Sequence, residues 1–131
     1  MHVWLTILLL VAQGAAAQPA TRAEAEAILR TPLAATVGEA EAQRVMRLAV
    51  GNGILLHCRW AWQRGFEALT DQHRVGLRRD EAGMQRLTIW HGFWQGQGRQ
   101  VAQQDGIACD PTLRDTLRRS NEALLRQGPA R

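Results

Sequence analysis

Residues 54–73, ILLHCRWAWQRGFEALTDQH, carry the pattern on which the fold turns. Leu55, Cys58, Trp62, Phe66 and Leu69 recur at three- and four-residue steps, which places them on one face of a helix. That face is apolar and holds one of the chain's two cysteines. The spacing predicts a core-facing helix from about Ile54 to His73, tied by a disulfide to whatever carries Cys109.

Toward the C-terminus, Gly76-Leu77 resembles a helix stop with its hydrophobic contact, and Arg78 or Asp80 opens the next helix, running to about Gln103. Leu87, Trp90, Trp94 and Val101 recur along it at helical spacing. Thr88, Gly92 and Gly96 form a second stripe of small residues. Each interior glycine costs a helix about 1 kcal/mol against alanine, so close packing against a neighbouring helix is expected to offset them. The alternative is that Gly96-Gln97-Gly98 ends the helix early. The last helix has the clearest boundaries: Asp110 as N-cap, Pro111 in the first helical position, and Gly128-Pro129 as the stop. Leu113, Leu117 and Leu124 line its expected buried face.

Toward the N-terminus, Thr21 with Glu24 has capping-box spacing and opens a short helix that should stop before Pro32. Thr36 with Glu39 repeats the signal, predicting a helix through Arg47 to about Val50, broken by Gly51-Asn52-Gly53. The alternative there is a hairpin over Arg47 to His57. No sustained strand alternation occurs elsewhere. The fold class is therefore all-α, a small bundle of about four to five helices stapled by one disulfide.

Residues 3–12 are an uncharged apolar run, too short to span a bilayer but the length of a signal-peptide core. Ala15-Ala16-Ala17 supplies the small residues of a cleavage site. Residues 1–17 are read as a signal peptide cut after Ala17, leaving 18–131 as a single helical domain with Gln18 first. No cysteine follows the apolar run closely, so neither a lipid anchor nor stable membrane attachment after cleavage is expected. Export to the periplasm or medium, both oxidising, suits a disulfide.

The 131-residue chain has room for one domain, and of its five Trp the four beyond the leader are expected to supply much of the core bulk. The net charge of +4 comes from basic residues that are all Arg, with no Lys and no Tyr. These arginines are spread from Arg22 to Arg131 among the acids rather than gathered in a stripe with aromatics, so no nucleic-acid partner is expected. Two cysteines in an exported chain most simply pair, Cys58 with Cys109, and a loop of that length corresponds to about 4 kcal/mol of stabilisation. A redox enzyme's closely spaced cysteine pair is absent.

His57, His73 and His91 include no i, i+4 pair, so no metal site is read from them. There is no nucleophile-elbow motif and no phosphate loop. Glu67, Asp71 and Glu81 read as surface acids, and neither catalysis nor a cofactor is indicated. Trp90, His91 and Trp94 are the residues expected to border a pocket, if the chain has one.

Gly53-Ile54-Leu55-Leu56-His57-Cys58, Trp90-His91-Gly92-Phe93-Trp94-Gln95-Gly96, and Cys109-Asp110-Pro111 followed by Leu113, Leu117 and Leu124 together resemble small two-cysteine helical periplasmic proteins. One such group is the immunity proteins that neutralise secreted amidase toxins, and this resemblance spans Gly53 to Pro129. More distantly, in export, helical content and a long-range disulfide, the chain resembles the HdeA-type acid-stress chaperones. The lack of catalytic motifs, together with rigid disulfide-tied helices able to present aromatic and Arg side chains, predicts a non-enzymatic factor acting on a protein partner, as inhibitor, immunity or protective protein. The alternatives are an acid-stress chaperone, or a small-ligand or metal binder centred on Trp90, His91 and Trp94.

Overall fold

The computed structural model describes residues 20–130; the expected leader and the new terminus at Gln18 lie outside them. Among the described residues there are six α-helices and a π-helical turn, and no strand. The helices are α1 (Arg22–Leu29), α2 (Ala34–Val37), α3 (Glu39–His57), α4 (Gln63–Asp71), α5 (Glu81–Gln104) and α6 (Pro111–Gln127), with the π turn at Gln72–Gly76 between α4 and α5. The fold is all-α.

Three helix starts follow from the chain's own capping residues. Thr21 accepts from the Glu24 N–H and Glu24 reaches back to the Thr21 N–H, closing the capping box of α1. Asp80 accepts from the Gly83 N–H to start α5, and Asp110 accepts from the Leu113 N–H to start α6, with Pro111 in its first turn. At its far end α6 stops on Gly128, whose φ of 68° suits glycine.

α3 is the central element. Asn121 of α6 bonds Asn52, the Leu124 carbonyl meets Arg44, and the Ala130 N–H meets Glu41, so α6 runs antiparallel to α3. Gly65 lies beside Asn52 and Gln72 bonds Arg44, so α4 also runs antiparallel to α3. Arg79, ahead of α5, bonds the Thr36 carbonyl ahead of α3, while Gly53 meets Gln95 and Arg99 farther along; α5 runs parallel to α3. Leu33, Val45, Leu48, Leu69, Met84, Leu87 and Leu124 fill the space among these helices.

The expected break at Gly51-Asn52-Gly53 does not occur, since α3 passes through it and ends at His57. All three residues are buried, because three helices converge there. A Cβ on Gly51 would come within 2.8 Å of Asn121 Oδ1, and one on Gly53 would meet the Gln95 carbonyl and the Arg99 nitrogen. The glycines serve close approach rather than a turn. α3 starts two residues later than the Thr36 signal implies, after Gly38 with φ 87° and without a side-chain cap.

The expected continuous helix from Ile54 to His73 is two. Arg59, in the left-handed region at φ 58°, turns the chain after Cys58, and α4 begins at Gln63. Leu55 and Leu69 are nonetheless buried, and Trp62 and Phe66 face inward against His91.

The close-packing stripe is also displaced. Gly92 and Gly96 face open space, and Thr88 is exposed, its hydroxyl donating to the Met84 carbonyl one turn back. The close approach is made by Gly98, against the Val50 backbone, together with Gly53. The buried side of α5 is Met84, Leu87, His91, Gln95, Gly98 and Ala102, while Val101 is 51% exposed. Two polar residues on the inner side thus shift the helix from the face its hydrophobic residues alone would select.

Cys58 and Cys109 are bonded, with Cα atoms 5.5 Å apart. The bond joins the end of α3 to the residue just before the Asp110 cap of α6. Such a bond persists in an oxidising environment. Among the described residues no helix is long and apolar enough to cross a membrane.

Candidate functional site

The polar interior is divided between the two ends of α3. At its N-terminal end, Glu41 is 1% exposed and receives three groups. Arg44 Nη2 donates to Glu41 Oε1 at 2.7 Å, the Ala130 N–H donates to Oε2 at 2.7 Å, and His73 Nε2 lies 3.1 Å from Oε1. Arg79 Nε donates to His73 Nδ1 at 2.9 Å, which leaves the His73 proton on Nε2, pointing at the carboxylate. Arg44 also donates to the Leu124 carbonyl and to Gln72 Oε1, and Gln72 Nε2 donates to the Leu125 carbonyl. The π turn brings Gln72 and His73 to this cluster, an example of extra helical width used to re-aim side chains.

Burial alone would raise the Glu41 carboxyl, but the hydrogen bonds from His73, Arg44 and the Ala130 N–H, with the Arg44 charge, outweigh it and hold the group below its usual 4.5. Every strong donor here is committed to the fold, and His73 is fully buried. The Glu41–His73 pair therefore has the contacts of a catalytic dyad without access to a substrate. It locks the C-terminal end of α6 and the tail onto α3.

The other polar group lies about three turns along, at Asn52. Asn121 Nδ2 donates to Asn52 Oδ1 at 3.0 Å. That fixes the Asn52 amide, whose nitrogen lies 3.1 Å from His91 Nε2 and so donates to it. Phe66 packs on the His91 ring at 4.5 Å between centroids, and Trp62 is stacked at 6.3 Å. His91 is 2% exposed, and burial pushes its pKa down to about 4. It is neutral at pH 7, with its proton on Nδ1.

Asn52 and Asn121 also form part of the wall of a cleft of about 490 Å³ between α4 and α6. Leu55, Trp62 and Leu125 give it apolar surface, and Arg64, Arg118 and Glu122 supply its charges. Neither arginine pairs with a carboxylate among the described residues. The volume lies in the range of ligand-binding clefts, and the walls suit an apolar group that carries negative charge.

The trio expected to border a pocket is not brought together. Trp90 and Trp94 pack on each other at 4.9 Å and against the hydrophobic core, with Phe93 edge-on to Trp90, and Trp90 Nε1 donates to the Thr31 carbonyl. His91 points from α5 to the α3 and α4 side instead, and none of the three lines the cleft. Trp62 is the aromatic there, and the sequence marks it only as a core residue. Arg64, Arg118 and Asn121 carry no sequence signal, because their meeting depends on α4 and α6 lying side by side. The three histidines are also separated: His73 is held by Glu41 and Arg79, His91 by Asn52, and His57 ends α3. Comparison with protein-family models, curated proteins and solved structures finds no match.

Proposed function

We propose that the chain is an exported, non-enzymatic binding protein of the periplasm or medium, and that it acts by gripping a protein partner in the cleft between α4 and α6. The observation that carries this reading is the placing of Trp62, Arg64 and Arg118 around one cleft, with neither arginine paired to a carboxylate among the described residues. Trp and Arg are the residue types that dominate binding energy at protein interfaces. An acidic side chain next to an apolar one on the partner complements these walls. The buried Glu41–His73 cluster supports a non-catalytic role, since its donors and acceptors are turned to internal groups. An inhibitor, immunity or protective protein requires such a rigid, preformed surface.

The test is quantitative capture from the exported fraction of the native cell by the disulfide-bonded protein. A specific partner retained by the native chain and at least tenfold weaker with Arg64→Ala/Arg118→Ala supports the reading. Equal retention by both proteins removes the cleft from it. If the partner is a secreted toxin, deletion of this chain sensitises cells to that toxin.

A second reading, a protective factor responsive to acid, is favoured by one observation. His91 is buried and neutral beneath α4, so acid places a charge among Trp62 and Phe66. It predicts that acid loosens α4 and exposes apolar surface able to hold unfolded clients. A domain that stays closed and fails to protect clients at pH 3 contradicts it.

A further inference from the structure

The wall of the cleft is connected to the bundle interior by a chain of three side chains. Asn121 Nδ2 donates to Asn52 Oδ1, and Asn52 Nδ2 donates to His91 Nε2. The two asparagines line the cleft, and His91 lies behind them. Each bond fixes the direction of the next, because an amide has its acceptor and its donor at opposite ends. The chain therefore has two self-consistent settings.

In the first setting His91 Nε2 is an acceptor. A proton taken from solvent onto Nε2 makes both ring nitrogens donors, so the ring N–H faces the N–H of Asn52. The conflict is removed when the Asn52 amide turns over and offers Oδ1 to the ring. Its Nδ2 then points at the Nδ2 of Asn121, and that amide must turn over too. We propose that His91, Asn52 and Asn121 form a proton-driven relay in which charging the ring reverses both amides and so changes the polarity of the cleft wall.

The surroundings of the ring leave few competing explanations. From α3 it meets Asn52, and from the α4 side Trp62 and Phe66, none of them titratable. From α6, Asn121 stands behind Asn52. The charged groups around the cleft are Arg64 on α4 and Arg118 and Glu122 on α6. No carboxylate among the described residues pairs with His91. The Glu41 cluster lies eleven residues back along α3, about 16 Å at 1.5 Å per residue. Burial lowers the ring's pKa to about 4, so the first setting holds at neutral pH and the second is reached in acid.

As regulation of the cleft, the relay rests on the binding reading given above. Its test does not. In the 15N-labelled, disulfide-bonded protein, the side-chain amides of Asn52 and Asn121 are followed from pH 7 to pH 3 with the His91 ring signal. The relay predicts that both amides shift with the His91 midpoint, near pH 4, and by more than the exposed Asn and Gln amides. In Asn52→Ala the ring still titrates while the Asn121 amide becomes silent, and in His91→Phe neither amide moves at that midpoint. Amides that stay flat through the His91 transition in the native protein, or global unfolding before it, overturn the relay. Amides that follow His91 while capture ignores Arg64 and Arg118 leave the relay standing and remove the partner reading.

Discussion

At the scale of single residues, stability is set by how each buried polar group is satisfied. Gln95 lies on the inner side of α5, and its Nε2 has no hydrogen-bond partner among the described residues. A buried donor without a partner costs roughly 1–3 kcal/mol. Gln95→Met, similar in volume and without the amide, is expected to stabilise the protein by about 1 kcal/mol in urea denaturation; a loss of stability would mean that the amide is satisfied in solution. His91 and Glu41 set the pH dependence. The folded pKa of His91 is depressed, so between its ordinary 6.5 and about 4 the unfolded chain binds the proton and the native chain does not. The resulting loss of stability as pH falls through that window is on the order of 3 kcal/mol. The Glu41 carboxyl is also held low; its contribution is present above its ordinary 4.5 and is lost as pH falls through its lowered folded value. Denaturation midpoints measured from pH 7 to pH 3 should fall continuously, and His91→Phe should flatten the part between pH 6.5 and 4.

At the scale of elements, the contacts divide the glycines into two classes. Gly53 and Gly98 sit where the backbones of α3 and α5 meet, and a Cβ at either would collide with main-chain atoms. Gly53→Ala and Gly98→Ala are each expected to cost about 3 kcal/mol, at the upper end for overpacking. Gly92 and Gly96 face open space on the same helix. Gly92→Ala and Gly96→Ala should stabilise by about 0.5–1 kcal/mol each, the usual helix preference. Thermal denaturation of the four variants checks both directions at once. The glycines also show where local sequence stops determining structure. Helix starts at Thr21, Asp80 and Asp110 are local events, written in residues three apart, and they were readable. Whether a glycine breaks a helix, faces water or admits another backbone depends on a partner far away in sequence. Gly51-Asn52-Gly53 therefore read as a break, and Gly92-Gly96 read as a contact. The cleft was hidden for the same reason, because Arg64 and Arg118 meet only once α4 and α6 are laid against α3.

At the scale of the whole molecule, two long-range ties hold α6 on the bundle. The disulfide fixes its start to the end of α3 across 51 residues of chain, and the Glu41–Arg44 cluster fixes its far end and the tail. The chain-entropy model gives the disulfide about 4 kcal/mol. Cys58→Ser/Cys109→Ser should lower urea stability by about that amount, and proteolysis should begin near the start of α6, away from the Glu41 end. Both ties hold α6 beside α4, so they also hold the cleft open in one shape. The proposed grip on the partner belongs to this cleft and not to the glycine-bearing outer face of α5. Hydrogen–deuterium exchange of the disulfide-bonded protein, alone and with its captured partner, tests that most directly. New protection is expected at 61–65 and 118–125 with the 88–101 stretch unchanged; protection gathered on 88–101, with the α4–α6 cleft exchanging as in the free protein, would rule the cleft out as the gripping surface.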